Sequence, residues 1–348
     1  MILIKLIFRQ FIQLVTYIYS GLILCYFILR MLFWDRFWIV ALLSTFIPLI
    51  LLPIFLLPIS SFWVIKKHWF TIISSIVCIC LVSWMHLKYW SPSQIIPTDS
   101  PTIVKILSIN LSWNITKPKT LINLVIQGKP DIICLQETTD RQINIALPKL
   151  KIFYPYQALA PNAILISKYP FIRSENLHLA GHKEWQQRAI ININQQEIVI
   201  YNMQTISPWM GQHKIFSFFK FPVYEYAKRS AEIQDLVQRI KKETSPVIVA
   251  GDFNLTDQTQ DYYQLKTVLQ DSFQTSGFGF GFTWPDGWDL SLLIKGLKWK
   301  LNYPLFRIDY IWYSKDWGSK SVQVLPSTGS EHLPIEAELI LLKPTVNN

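Results

Sequence analysis

The 348-residue sequence predicts an α/β sandwich of mixed sheets, preceded by three membrane-spanning helices. Two observations carry this expectation. The first 90 residues contain three long uncharged apolar runs. From Ile103 onward, short β-branched runs dominate and helical stretches intervene irregularly, which argues for mixed sheets rather than a strict strand–helix repeat. The composition agrees with this division: 51% of residues are hydrophobic and only 16% charged, too apolar for an average soluble protein.

The elements follow in order. Phe11–Leu29 holds no charge over 19 residues, Phe37–Ile59 none over 23, and Trp69–Met85 none over 17. A bilayer core takes about 20 apolar residues as helix, so each run is read as a span. Run one lacks the small-residue cleavage site of a signal peptide. Run two contains Pro48, Pro53 and Pro58, which membrane helices tolerate; a kinked or re-entrant pair of half-helices is its alternative. With the N-terminus inside, Lys5, Arg9, Lys66 and Lys67 give four inner charges against three outer ones, Arg30, Arg36 and Lys88. That bias puts the C-terminal part on the extracytoplasmic face of a multi-pass cell-membrane protein. Residues 91–101 are polar and proline-rich and read as a linker. The expected organisation is a membrane domain over 1–90 and a second domain over 102–348.

In the second domain, Ile103–Asn110, Asp131–Leu135, Asn162–Ser167, Ala189–Asn194, Glu197–Met203, Val247–Ala250, Phe306–Tyr313 and Glu336–Leu342 have strand character. Thr120–Gln127 and Tyr226–Glu243 have helical spacing. Of four cysteines only Cys134 lies here, so no disulfide forms within the domain. Net charge is +10: residues 1–99 carry seven basic and two acidic side chains, the remainder 26 and 21, giving +5 each. A mildly basic domain suits an anionic membrane surface or a phosphorylated substrate. There is no dense Lys/Arg stripe of the kind nucleic-acid binding uses.

Polar residues cluster where apolar runs end: Ser108-Ile109-Asn110, Gln136-Glu137, Asn202-Met203-Gln204, Gly251-Asp252-Phe253-Asn254, Arg307-Ile308-Asp309 and Ser330-Glu331-His332. Hydrolysis of an anionic phosphoester requires neutralisation of the phosphoryl oxygens and a base that activates water. Glu137 at a strand end is a candidate ligand for a hard cation such as Mg²⁺ or Mn²⁺. Asp252 and Asn254 share one tight turn that can orient water and hold a phosphoryl oxygen. Glu331 beside His332 is a candidate charge-supporting pair. Singly, each has a structural explanation: Glu137 as a capping partner near Thr138 and Thr139, Gly-Asp-Phe-Asn as an ordinary turn, Asp309 as the buried partner of Arg307, His332 as a surface residue.

Their joint occurrence in this order resembles the endonuclease/exonuclease/phosphatase superfamily. The blocks are Ile-Leu-Ser-Ile-Asn-Leu, Pro-Asp-Ile-Ile-Cys-Leu-Gln-Glu, Val-Ile-Val-Ala-Gly-Asp-Phe-Asn, Arg-Ile-Asp-Tyr-Ile-Trp and Gly-Ser-Glu-His-Leu-Pro-Ile, spread over residues 102–342. The resemblance implies the deoxyribonuclease I fold, a four-layer α/β sandwich with two mixed sheets. It also implies Glu137 as direct metal ligand with Asn110 and Glu331 near the metal. Asp252 would activate water, Asn254 would hold the scissile phosphate, Asp309 would support the final histidine or the metal, and His332 would stabilise the phosphoryl oxygens. Two departures stand out. The family usually ends in Ser-Asp-His, where this chain has Ser-Glu-His. It usually has histidine at the position of Gln204, and glutamine donates a hydrogen bond but carries no proton charge.

Two further segments combine aromatics with lysines, as membrane interfaces do. Trp209–Tyr226 interleaves Lys214 and Lys220; Leu290–Phe306 reads LSLLIKGLKWKLNYPLF. They are expected to form a lipid-facing rim. The sequence therefore points to a membrane-integral, Mg²⁺- or Mn²⁺-dependent hydrolase of a phosphorylated lipid. A tethered nuclease acting on DNA or RNA and a degenerate phosphate-binding protein are the alternatives. No obligate protein partner is indicated.

Overall fold

A computed structural model describes residues 2–52, 69–90, 102–113, 116–182, 186–216, 219–292 and 294–342. The chain divides into two compact units: Met1–Trp90 with Gln258–Gln260, and Ser91–Asp257 with Asp261–Asn348. The first unit contains helices α1 (Ile2–Phe33), α2 (Trp38–Ile50) and α3 (Trp69–Leu87). Among the described residues only Leu6–Phe33 is long and apolar enough to cross a membrane; Trp38–Ile50 and Ser75–Trp84 are shorter apolar stretches. The expected three crossings are corrected to one that meets the length requirement. The helix in the second run passes through Pro48 and ends at Ile50. The rest of that run, with Pro53 and Pro58, lies outside the described residues, as do Lys66, Lys67 and the linker 91–101. The charge count for three crossings thus no longer assigns a membrane face. Apolar side chains on α1 such as Phe11 and Leu22 are exposed.

The second unit contains β1 (Ile103–Asn110), β2 (Ile132–Gln136), β3 (Tyr156–Ala160), β4 (Ala163–Ser167), β5 (Phe171–Leu177), β6 (Gln186–Ile193), β7 (Gln196–Gln204), β8 (Trp209–Phe216), β9 (Phe219–Tyr224), β10 (Val247–Asp252), β11 (Gln270–Asp271), β12 (Trp288–Asp289), β13 (Lys300–Leu301), β14 (Asp309–Tyr313), β15 (Trp317–Val324) and β16 (Ile335–Leu341). One six-stranded sheet runs β15-β16-β1-β2-β4-β3 and the other β11-β14-β10-β7-β6-β5. Each has one parallel pair at its centre, β1 with β2 and β7 with β10, and antiparallel neighbours outside it.

The strands read as continuous apolar runs because both faces are covered. On β2, Ile132 and Cys134 pack between the two sheets, whereas Ile133 and Leu135 pack outward. There they join Leu121 and Val125 of helix α4 (Pro118–Gly128) and Ala146 and Leu150 of helix α5 (Asp140–Leu150). On β7, Ile198 and Ile200 face the other sheet, while Val199, Tyr201 and Met203 meet Ile233, Leu236 and Val237 of helix α6 (Tyr226–Ile240). The order helix, sheet, sheet, helix is the expected four-layer sandwich. The sheets are also joined by a polar rivet. Buried Asn202 on β7 donates to Leu135 O at 3.1 Å, Ile164 O at 3.2 Å and Gln187 Oε1 at 3.0 Å, and accepts from Gln136 Nε2 at 2.7 Å.

Candidate active site

In parallel strands all C-terminal ends point one way, and the groups there meet at one rim. Here the two central parallel pairs deliver them together. Asn110 ends β1 opposite Gln136 at the end of β2, and Glu137 follows directly. Asp252 ends β10 opposite Gln204 of β7 on one side and Asp309, the first residue of β14, on the other. The loop before β16 adds Ser330, Glu331 and His332.

Asp252 is the hub. Its Oδ2 accepts from Asn110 Nδ2 at 3.0 Å and Asn254 Nδ2 at 3.2 Å, and its Oδ1 from the Asn254 backbone N–H at 2.9 Å. His332 places Nδ1 3.0 Å from Asp309 Oδ2 and Nε2 4.0 Å from Asp252 Oδ2. Ligand atoms of Asp252, Asp309 and His332 all lie within 4.8 Å of one another. Burial pushes the Asp252 carboxyl up to about 7; His332 opposes that, while Asp309 and Glu137 add to it. Burial alone would depress the His332 imidazole, but the Asp309 and Asp252 carboxylates outweigh it and hold it up at about 9. At neutral pH the imidazole is therefore a cation that donates from both nitrogens, and Asp252 is poised to take up a proton.

The structure separates the sequence-based alternatives. Arg307 pairs with Asp271 at 2.8 Å, which leaves Asp309 to His332. Thr139, with Gln142, forms the capping box of α5, so Glu137 is not the cap. Glu137 stands in the left-handed region at φ 49 and accepts from Gln204 Nε2 at 2.6 Å. Gln204 thus bonds the candidate metal ligand, and its own Oε1 is buried with no partner in the protein. His332 takes its carboxylate partner from Asp309 rather than from the adjacent Glu331. Burial raises the Glu331 carboxyl, with His332 opposing and Glu137 reinforcing. Glu331 lines an open cavity of about 460 Å³ with Asp286, Asp289, Lys300 and Asn302.

Several supporting residues escaped the sequence reading. Ser112 Oγ bonds Ser330 Oγ at 2.8 Å, and Ser330 Oγ also reaches Asn110 O at 2.6 Å, which ties the His332 loop to the end of β1. Ser112 N–H donates to Asn110 Oδ1 at 2.8 Å, fixing that amide's orientation. Buried Arg229 of α6 pairs with Asp261 at 2.8 Å and donates to Asn254 O at 3.0 Å, holding Asn254 at φ 48. Left-handed non-glycine residues thus cluster at this rim (Ser112, Trp113, Glu137, Asn254), where such strain is held by surrounding bonds. No local sequence signal marks Ser112 or Arg229; their roles come from long-range packing. Gly251 is more legible: at φ 151, a Cβ there would lie 1.9 Å from Met203 O, so only glycine lets β10 approach β7 beside Asp252.

The donor chemistry fits a hard divalent cation. Glu137 and Asp309 raise the proton affinity of Asp252, and all three carboxylates raise that of His332; oxygen-rich sites of this kind suit Mg²⁺ or Mn²⁺.

Residues 107–332 match the model of the Endonuclease/Exonuclease/phosphatase family. Similar solved structures include an endonuclease/exonuclease/phosphatase family protein from Bacteroides thetaiotaomicron, at 17% identity and TM-score 0.53, covering 69% of this chain and 98% of that one. A mannosyl-6-phosphatase from the same organism matches at 16% identity and TM-score 0.51, over 68% and 100%. Truncated TDP2 from Caenorhabditis elegans matches at 20% and 0.51, over 69% and 98%. No curated protein matches the chain.

Proposed function

Because the chain belongs to the endonuclease/exonuclease/phosphatase family, whose members hydrolyse phosphoesters, we propose that it is a divalent-metal-dependent hydrolase of a phosphorylated lipid. The observation that carries the hydrolytic part is the buried Asp309–His332–Asp252 series at the joined ends of the two parallel pairs. Asp309 holds His332 through Nδ1, so Nε2–H faces the phosphoryl oxygens and stabilises the charge that grows on them. Asp252, ionising near neutrality, takes the proton of the attacking water. Asn254 and Asn110 fix the Asp252 carboxylate by donating to it. Glu137, with Asn110 and Glu331, would hold Mg²⁺ or Mn²⁺, and the bound cation would neutralise the phosphate. Gln204 orients Glu137. Support for a lipid substrate comes from the apolar helix Leu6–Phe33, which suits an enzyme kept at a bilayer.

The test is hydrolysis by the full chain in detergent with Mg²⁺, read as phosphate release from a lipid diphosphate, as headgroup release from a phospholipid diester and as strand cleavage of plasmid DNA, with Asp252→Asn as blank. Turnover of a lipid that the blank lacks supports the proposal. Turnover of DNA alone makes the protein a nuclease, and none on any substrate points to a phosphate-binding role.

A further inference from the structure

The hairpin formed by β12 and β13 projects a tip, residues 290–299, that lacks the coating a water-facing loop carries. Leu292, Ile294, Trp299 and the following Tyr303 are 49%, 36%, 71% and 76% exposed. The stretch Leu290–Phe306 contains Lys295, Lys298 and Lys300 and no acidic residue. Lys295 and Lys298 are exposed, with no ion pair among the described residues. Four large apolar side chains within 12 residues exceed the scattered exposure normal for a soluble surface. Lysines among them exclude an ordinary hydrophobic protein groove as the best match and favour an anionic one.

The backbone is suited to leaving water. Leu290 N–H bonds Trp299 O at 2.9 Å, Ile294 N–H bonds Leu290 O at 2.9 Å, and Leu297 N–H bonds Ile294 O at 3.1 Å. Gly296, at φ +90, makes the turn between them. These internal bonds lower the penalty of bringing peptide groups to an interface where water is scarce. Lys300 and Asn302, at the base of the hairpin, share the 460 Å³ cavity with Glu331, which adjoins His332. The base of the hairpin is therefore one wall of the cavity that Glu331, next to His332 in the chain, also lines.

We propose that residues 290–303 are an interfacial hairpin that seats in an anionic bilayer, with Trp299 and Tyr303 at headgroup depth and Lys295 and Lys298 on lipid phosphates. The proposal rests on the reading that the site works at a membrane, and it assigns the contact that holds that cavity against the lipid. Aromatic rings with a wet edge and long basic stems are the side chains that interfaces accept.

The test is amide hydrogen exchange of the full chain in nanodiscs, where the apolar helix keeps every variant associated. Discs of phosphatidylcholine with about one-third phosphatidylglycerol are compared with pure phosphatidylcholine discs and with detergent. The proposal expects residues 290–303 to exchange at least about fivefold more slowly in the anionic discs, an effect of the kind anionic lipid gives basic segments. The triple variant K295E/K298E/W299A loses that protection while its melting temperature stays as in the wild type. Equal exchange in all three environments overturns the proposal, as does protection that the variant retains. Protection without turnover of any lipid would leave this contact standing and remove the proposed substrate; turnover without protection would do the reverse.

Discussion

Replacing Asp309 by Asn tests the centre of the proposed mechanism. The substitution keeps the shape of the side chain and removes the charge 3.0 Å from His332 Nδ1. With Asp309 in place the imidazole is held at about 9; the rise from its ordinary 6.5 corresponds to roughly 3 kcal/mol, at about 1.4 kcal/mol per pH unit. Without Asp309, burial opposes what remains of the Asp252 attraction, and ionisation returns to about 6.5 or below. At pH 8 the cationic fraction then falls from ~90% to ~3%, a loss of about 30-fold, whereas at pH 6 the two forms differ by less than about twofold. The assay is kcat/KM on bis(p-nitrophenyl) phosphate with saturating Mg²⁺ from pH 5.5 to 9.5, taken as the variant-to-wild-type ratio at each pH. The wild type has an ascending limb near 7 from Asp252; in the variant that limb moves, because Asp309 raises the Asp252 carboxyl and the His332 cation lowers it, so both limbs of each profile are fitted before the ratio is compared. The descending limb should move from about 9 to about 6.5. Stability has its own sign: a group whose folded value is raised stabilises fully below its unfolded value and loses that stabilisation as pH rises through the folded one. The melting-temperature gap between the two proteins should therefore be widest below pH 6.5 and close towards pH 9. An activity loss of equal size at pH 6 and pH 8 would refute the charge-holding role and leave Asp309 as a ligand or structural group.

Three further outcomes are expected. Asn202→Leu removes four buried hydrogen bonds, three of them between the sheets and one to Gln187 within its own, and orphans their partners, so it should destabilise by about 3–5 kcal/mol and lower the thermal midpoint by ~10 °C; a change under ~3 °C contradicts the rivet. Gly251→Ala should yield no protein with wild-type melting or activity, since its Cβ meets Met203 O at 1.9 Å; a normal melt would show that β10 and β7 have room. Gln204→Ala removes the 2.6 Å bond to Glu137 and should raise the Mg²⁺ concentration needed for half-maximal thermal stabilisation ~10-fold, the usual effect of losing a partner behind a metal ligand; an unchanged midpoint would place Glu137 away from the metal.

The sandwich was legible in the sequence where strands are central. Ile106–Asn110, Ile132–Leu135 and Val247–Ala250 are buried on both faces, so these runs are largely apolar and their polar ends stand out. Edge strands were not legible. Phe171–Leu177 ends its sheet with an exposed, mixed sequence, and Trp317–Val324 ends the other with Ser, Lys and Gln facing water; polar edges are how sheets avoid pairing with other chains. Asn110, Gln204, Asp252 and Asp309 stand out in the sequence because each sits at a strand end, whereas Asn254, Glu331 and His332 lie on the adjoining loops. Adjacency in the chain suggested Glu331 as the partner of His332 and only the family resemblance offered Asp309, because adjacency says nothing about which carboxylate the sheet register brings to the ring. In the N-terminal unit, counting uncharged residues overstated the helices long enough to span, since an uncharged run need not be one continuous helix: among the described residues the second run is helical only over Trp38–Ile50.

Strand β16 carries a consequence for how the molecule comes to be active. Ile340 pairs with Ile103, and Ile335 with Ser108, so the central strand of one sheet waits for a partner more than 200 residues away. Contacts of such sequence separation close late and slowly. Until they close, β1 has an open edge and the loop that carries His332 has no anchor on Asn110 and Ser112. Folding and catalytic competence then end on the same event. A chain that has only its early strands in place is held silent, and denaturant should abolish phosphoester hydrolysis together with, and never after, the loss of β1–β16 amide protection.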